Sequence, residues 1–162
     1  MLSLSYTMTD VKSYRPMTNS LSSGQVLHCA YTAEKARVIV MEMTDRLVLD
    51  MVDKGISTDQ LILTIGYDRE SLQDTQFRKN YKGEILIDHY GREIPKHAHG
   101  TKNLEKHSSS SAEIIGAMMQ LFDRIIDTSL LVRRVTIAVN NVISEEELEK
   151  RKKPEQLDLF TE

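Results

Sequence analysis

The chain has 162 residues and a formal net charge of −3, a length suited to one domain with extra segments at its ends. Its single cysteine, Cys29, excludes an intramolecular disulfide and a cysteine-built metal site. No apolar run approaches the ~20 residues a bilayer-crossing helix needs and no basic-then-apolar leader opens the chain, so composition reads as that of a cytoplasmic protein without membrane contact. The acidic balance is local. Seven acids and four bases lie between 144 and 162, which leaves 17 of each over the rest of the chain, and a neutral body can still hold DNA where its bases share one face.

Residues 1–20 show no helical or strand period, and Pro16 forbids a regular element through its position; they read as a linker. Gly24–Tyr31 predicts a first strand. Thr32 is placed to cap a helix that runs to about Lys54, with Ala36, Val40, Met43, Leu47 and Met51 at helical spacing and Gly55 as its stop. Leu61–Tyr67, rich in branched residues, predicts a second strand. Glu84–His89 and Arg92–Ile94 flank Tyr90-Gly91 and predict a hairpin excursion. Gly100–His107 predicts a third strand. Ser110 with Glu113 three positions on is a capping-box signature. It opens a second helix with Ile114, Met118, Leu121 and Ile125 on one stripe and Ile115, Met119, Phe122 and Ile126 beside it. In the last strand, Arg133–Asn141, Val135, Ile137 and Val139 alternate with Arg134, Thr136 and Ala138.

The order β-α-β-β-α-β predicts an α+β fold in two layers: one four-stranded, mainly antiparallel sheet with two helices on one face, plus a hairpin insertion. The domain is expected over 21–143. The other sheet face is left free, and alternation assigns it Arg134, Thr136, Ile62 and Thr64.

From 144 to 162 the pattern changes to a flexible tail. Pro154 ends any helix there, yet Leu157, Leu159 and Phe160 place large apolar groups in a segment with no core of its own. Such a cluster on a terminus is used most simply by burial in a partner's groove, with Gln156 hydrogen bonding at the rim; folding back onto the domain is the alternative. Gln156-Leu157-Asp158-Leu159-Phe160 resembles the pentapeptide by which bacterial proteins bind the replicative sliding clamp.

The body carries a second resemblance. Ser13-Tyr14-Arg15-Pro16, Asn19 to Leu27, Tyr90-Gly91-Arg92 with Pro95-Lys96, Gly100-Thr101 with Leu104, Leu121-Phe122-Asp123-Arg124 and Val132-Arg133-Arg134-Val135 are similar, in order and spacing, to the little-finger domain of UmuC-like (ImpB/MucB/SamB) Y-family translesion polymerases. The match spans about 9–143. The family implies one four-stranded sheet with two helices on one side, a grip on the backbone of primer-template duplex, and synthesis opposite damaged bases. Its catalytic carboxylates hold two metal ions, Mg2+, in a palm domain N-terminal to this one. The chain offers no palm strands, so the resemblance implies a non-catalytic piece of a longer or truncated polymerase, with no cofactor of its own. A UmuD-like accessory protein joins the clamp among the implied partners.

For DNA contact the candidates are Arg134, whose parity points it to the open face and whose guanidinium fits phosphate oxygens, and Arg133 beside it. Ser22, Ser23, Gly24 and Gln25 offer small side chains and close backbone approach to phosphates, and Lys102 and Lys106 offer salt-dependent attraction. Each also has a plain reading as a solvated or junction residue. His97 and His99, with His89 and His107, lack a completing acidic or cysteine ligand, and no metal site is expected. Two other functions compete: a clamp-binding adaptor without DNA binding of its own, and an RNA-recognition-like sheet. The second suffers from the core-facing parity of Tyr31 and Tyr67, which leaves few aromatics for base stacking.

Overall fold

The structure, a computed structural model, describes residues 19–151. Along it run β1 (Leu21–Tyr31), α1 (Ala33–Lys54), β2 (Ile56–Tyr67), a 3-10 turn (Arg69–Leu72), α2 (Thr75–Asn80), β3 (Ile85–Ile87), β4 (Glu93–Pro95), β5 (Ala98–Ser108), α3 (Ser111–Ile125), β6 (Val132–Asn140) and β7 (Ile143–Ser144). The four long strands lie in the order β1-β6-β2-β5, every neighbouring pair antiparallel. β1 and β2, joined by α1, are therefore parallel with β6 between them. β5 and β6, joined by α3, are parallel with β2 between them. Two split β-α-β units interleave, and both helices cover the same face. β3 and β4 form the separate hairpin. The expected fold class and the hairpin insertion are both found.

The strands start earlier than apolar runs alone suggest. β1 opens at Leu21 rather than Gly24, β2 at Ile56 rather than Leu61 and β5 at Ala98 rather than Gly100. The added residues of β1 and β5 are held by the ladder, Ser22 pairing with Ala138 and Ile65 with Ala98, while Ser57 and Thr58 of β2 are also buried. At the other end, Ser144 pairs with Ile56 and residues 145–151 are helical, so the first part of the segment expected as a flexible tail carries backbone structure.

The core lies between sheet and helices. Leu61, Leu63 and Ile65 from β2 and Val135, Ile137 and Val139 from β6 meet Ala36, Val40, Met43, Leu47 and Met51 of α1 and Ile114, Met118, Leu121 and Phe122 of α3, all buried. α1 begins at the Thr32 cap, whose hydroxyl accepts from the Lys35 N–H, and ends where Gly55 turns left-handed at φ 64°. α3 begins at Ser110, which accepts from the Glu113 N–H; the Glu113 carboxylate accepts from the Ser108 hydroxyl at 2.8 Å instead of closing the reciprocal half of the box. Arg37 of α1 forks onto Asp123 of α3 at 2.9 and 3.1 Å, which holds the Asp123 carboxyl below the usual carboxylate range. Among the described residues no helix is long and apolar enough to cross a membrane.

α3 packs tightly on β5 at Gly100. A methyl group there would stand 2.7 Å from Ile125 Cγ2 and 2.8 Å from Leu121 Cδ1, and Leu121 is itself buried. Gly100→Ala should therefore push α3 outward and lower stability by about 1–3 kcal/mol. Urea unfolding followed by circular dichroism would show this as a lowered midpoint at constant slope; an unchanged midpoint would mean that the helix yields at no cost.

Candidate nucleic-acid interface

Antiparallel partners share a sheet face, so the registers sort the paired strand residues. Opposite the helices they assemble four rows. Ser22, Ala138, Ile62 and Thr101 form one, and Gly24, Thr136, Thr64 and His99 the next. Val26, Arg134 and Gly66 form a third, and Asn140, Gln60 and Asn103 a fourth. Among the described residues no helix lies over this face.

Its chemistry is polar and mostly uncharged. Thr64 Oγ1 and His99 Nδ1 are 2.8 Å apart. The Asn140 amide donates to Gln60 Oε1 at 2.8 Å, and Gln60 Nε2 donates to Asn103 Oδ1 at 2.9 Å. The result is a ladder of amides across three strands. Arg134 is the row residue that carries a fixed charge. Gly66 opposes it, where an added Cβ would come within 3.2 Å of the Arg134 Cβ, so the missing side chain lets the arginine stem lie close to β2. On the other side stands Val26, 57% exposed, an apolar neighbour for that stem.

Among the described residues Arg134 makes no ion pair, whereas Arg37, Arg78, Arg92, Arg133 and Arg151 each bind a carboxylate. Arg133 is the extra residue of a bulge. Gly66 pairs with Arg134 and Tyr67 with Val132, so β6 spends two steps where β2 spends one. Arg133 consequently leaves the alternation and stands 3.7 Å from Asp68. The two candidate arginines are thus neighbours in sequence with different surroundings.

The other candidates divide. Of the four at the start of β1, Ser22 and Gly24 fall on the open face, while Ser23 and Gln25 oppose Ile137 and Val135 and take the helix-side parity. All four are exposed because β1 is an edge strand, and alternate N–H groups of an edge strand are free for a ligand. Lys102 opposes Leu61 and so leaves β5 on the helix side, not on the face of Arg134. Lys106 lies beyond the register shift that comes after Asn103. The open-face residues of β5 are His99, Thr101 and Asn103, and Leu104 gives the sequence signal that could have found them: its inward parity sends Lys102 inward and Thr101 and Asn103 outward. His97 precedes β5, and His107 Nε2 lies 2.9 Å from the Asn141 carbonyl. Among the described residues no group of three His, Cys, Asp or Glu could hold a metal ion. Gln156, Leu157, Asp158, Leu159 and Phe160 lie outside the described residues.

At the Arg133 end of β6 the sheet borders a polar cleft of about 400 Å³, lined by Asp68, Arg69, Asp88, Arg92, Ile94 and Arg133 among others. Its far wall is the β3–β4 hairpin. The Asp88 carboxylate organises the turn there. It accepts from the backbone N–H groups of Tyr90 and Arg92 and from Arg92 Nε, each at 2.9 Å. These donors, the Arg92 N–H foremost, hold the Asp88 carboxyl below its usual range. The cleft's base is fixed to the residue just before β6, since Asp68 N–H donates to the Leu131 carbonyl and Leu131 N–H to the Ser71 hydroxyl, both at 2.8 Å.

Residues 18–159 match the family model described as the impB/mucB/samB family C-terminal domain. No curated protein matches the chain. Among solved structures it is similar to the little-finger domain of PolIV in a complex with the beta-clamp processivity factor, at 9% identity and a TM-score of 0.46 over 75% of this chain and 86% of that one. It is also similar to a Dbh–Dpo4 chimeric Y-family DNA polymerase, at 12% identity and a TM-score of 0.47 over 78% of this chain and 29% of that one. Dbh DNA polymerase in a post-insertion binary complex gives 10% identity and a TM-score of 0.46 over 88% and 36%. The chain thus spans about a third of the two polymerase chains.

The turn makes a pH prediction. The Asp88 carboxyl titrates lower in the folded chain than in the unfolded one, so its support for the hairpin is complete above the ordinary aspartate value and is lost as pH falls through the lowered one. In an NMR acid titration the Tyr90 and Arg92 amide signals should move together, with a midpoint below about 3.9, and Asp88→Asn should abolish the step. A midpoint at or above that value would contradict the geometry.

Proposed function

Because the chain belongs to the impB/mucB/samB C-terminal domain family, we propose that it is the module with which a lesion-bypass DNA polymerase of the Y family grips primer-template duplex, recruited to the bacterial sliding clamp by Gln156 to Phe160. The observation that carries the grip is the uncovered sheet face, where Arg134, free of any carboxylate among the described residues, rises from rows of neutral hydrogen-bonding side chains. An arginine beside hydroxyls, amides and edge N–H groups suits phosphate oxygens, which carry no sequence information. Ser22 and Gly24 would supply contacts from the edge strand. Arg133 would reach a phosphate by exchanging Asp68 for it, and Lys102 and Lys106 would add attraction from the β5 edge rather than contact on the face.

In this reading the chain holds no metal and forms no bond. Nucleotide transfer, and the Mg2+ that assists it, would belong to a palm domain, and the work of this piece is to keep the duplex in place. A UmuD-like partner finds no particular support in the face or the cleft.

The near-neutral face favours one rival, an adaptor whose defined activity is the clamp peptide alone. Two measurements separate them. Fluorescence anisotropy on two duplexes of unrelated sequence should show binding that weakens steeply with salt. Arg134→Ala should weaken both equally and reduce the slope of log affinity against log salt by roughly 0.9. Wild-type affinity in that variant, or no duplex binding at low salt, would count for the adaptor. Deleting 156–160 should abolish association with a bacterial sliding clamp in surface plasmon resonance while duplex affinity stays unchanged; loss of both would again favour the adaptor.

A further inference from the structure

The hairpin presents an aromatic platform that a duplex grip does not use. Tyr90 is 77% exposed and the neighbouring Ile87 64%. The Arg92 guanidinium carbon lies 5.0 Å from the Tyr90 ring centroid, and the His89 ring meets Tyr90 edge-on at 5.4 Å. An exposed tyrosine is ordinarily a mobile one. Here the backbone N–H groups of Tyr90 and Arg92 are both held by Asp88, while Asp88 N–H donates to the Arg92 carbonyl at 2.8 Å. The hairpin is in turn braced by Arg78, which forks onto Glu93 at 2.7 and 2.8 Å, and by Lys96 on Glu84 at 3.0 Å. The ring is therefore displayed from a fixed support, with little ordering left to do on binding.

The platform is also continuous with the candidate interface. Arg92 and Asp88 form one wall of the cleft whose other side is Arg133, next to Arg134 on β6. Arg69 belongs to the same lining, with no ion pair among the described residues. The cleft thus gathers Arg69, Arg92 and Arg133 among Asp68, Glu70 and Asp88, and the hairpin that forms its wall carries a flat ring with a stacked cation. That is the composition of a single-strand stacking site, in which any base can lie on the ring because every base has a π face.

We propose that Tyr90, with Arg92 behind it, stacks an unpaired nucleobase of the strand that leaves the gripped duplex, the backbone of that strand passing the cleft. This rests on the duplex grip proposed above and adds a second ligand, single-stranded DNA, at a separate place. Selectivity for base identity is not expected.

The full chain would be titrated by anisotropy against a blunt duplex, the same duplex with a 5′ overhang of about six thymidines, and a free oligothymidine of about ten nucleotides, lengths typical of stacking grooves. The overhang should tighten binding roughly 5- to 10-fold, the lower end of what one stacked base contributes. Tyr90→Ala should remove that gain and leave blunt-duplex affinity unchanged, Tyr90→Trp should keep it, and Arg134→Ala should weaken blunt and overhung duplex alike. Equal affinity for the two duplexes would overturn the proposal, as would a Tyr90→Ala variant that weakens both equally or neither. Oligothymidine binding that Tyr90→Ala abolishes, without any duplex binding, would keep the stacking site and sink the grip. Binding of none of the three probes would overturn both.

Discussion

Every side chain on the open face owes its position to the pairing of β2 with β6. These two central strands carry the inward Leu61, Leu63, Ile65, Val135, Ile137 and Val139, and because side chains alternate with a period of two, burying that set leaves Ile62, Thr64, Thr136, Ala138 and Arg134 no choice of face. A slip of one residue would bury an arginine and expose three branched aliphatics, a cost of many kcal/mol. The open face is thus specified by the core behind it. Mutations that loosen the helices would blur the rows before touching any residue in them.

The departure from that alternation at Arg133 has a chemical effect. At the bulge, β6 gains Arg133, and two adjacent arginines acquire different electrostatic lives: one beside Asp68, the other unpaired among the described residues. A partly exposed ion pair of that length is weak, within about 1 kcal/mol, so Asp68 tunes Arg133 without removing it from reach. The same economy runs through the surface. Arg37, Arg78 and Arg92 serve to fix helix to helix, α2 to β4 and the hairpin turn, which explains how a chain with 21 basic residues presents so little positive charge on its uncovered face.

The order of the four long strands and two long helices, both helix caps and the inward stripe were legible in the sequence because each is written locally: Thr32 and Ser110 each cap the helix that begins beside them, Gly55 stops the helix that ends there, and Val135, Ile137 and Val139 alternate in plain sight; the 3-10 turn and α2 between Arg69 and Asn80 were not, since that stretch has no apolar period. Arg134 came out of that alternation. The β5 edge misled. Its lysines attract attention as charges, but parity is set by the sparse Ala98, Gly100 and Leu104, so Lys102 sits on the helix side while Thr101, Asn103 and His99 take the open one. The split of Ser22 and Gly24 from Ser23 and Gln25 required a register, which is a relation between distant segments and not a property of either. The amide ladder of Asn140, Gln60 and Asn103 was invisible for the same reason: its members are 80 and 43 residues apart in sequence.

The two ends of the described chain meet. The Val142 N–H donates to the Asn19 carbonyl, the Glu145 N–H to the Gly55 carbonyl, and the first rung of β1 on β6 is Leu21 with Val139. Tension drawn through both flanks would first part β7 from β2 and then load the β1–β6 ladder from that outer rung, one hydrogen bond at a time, as a zip and not in shear. Strands loaded in this way yield at low force, since no two rungs resist together. A domain loaded in this way would lose β7 and then β1, the edge strand that bears Ser22 and Gly24, from the rim inward while β2, β6 and their helices stay packed.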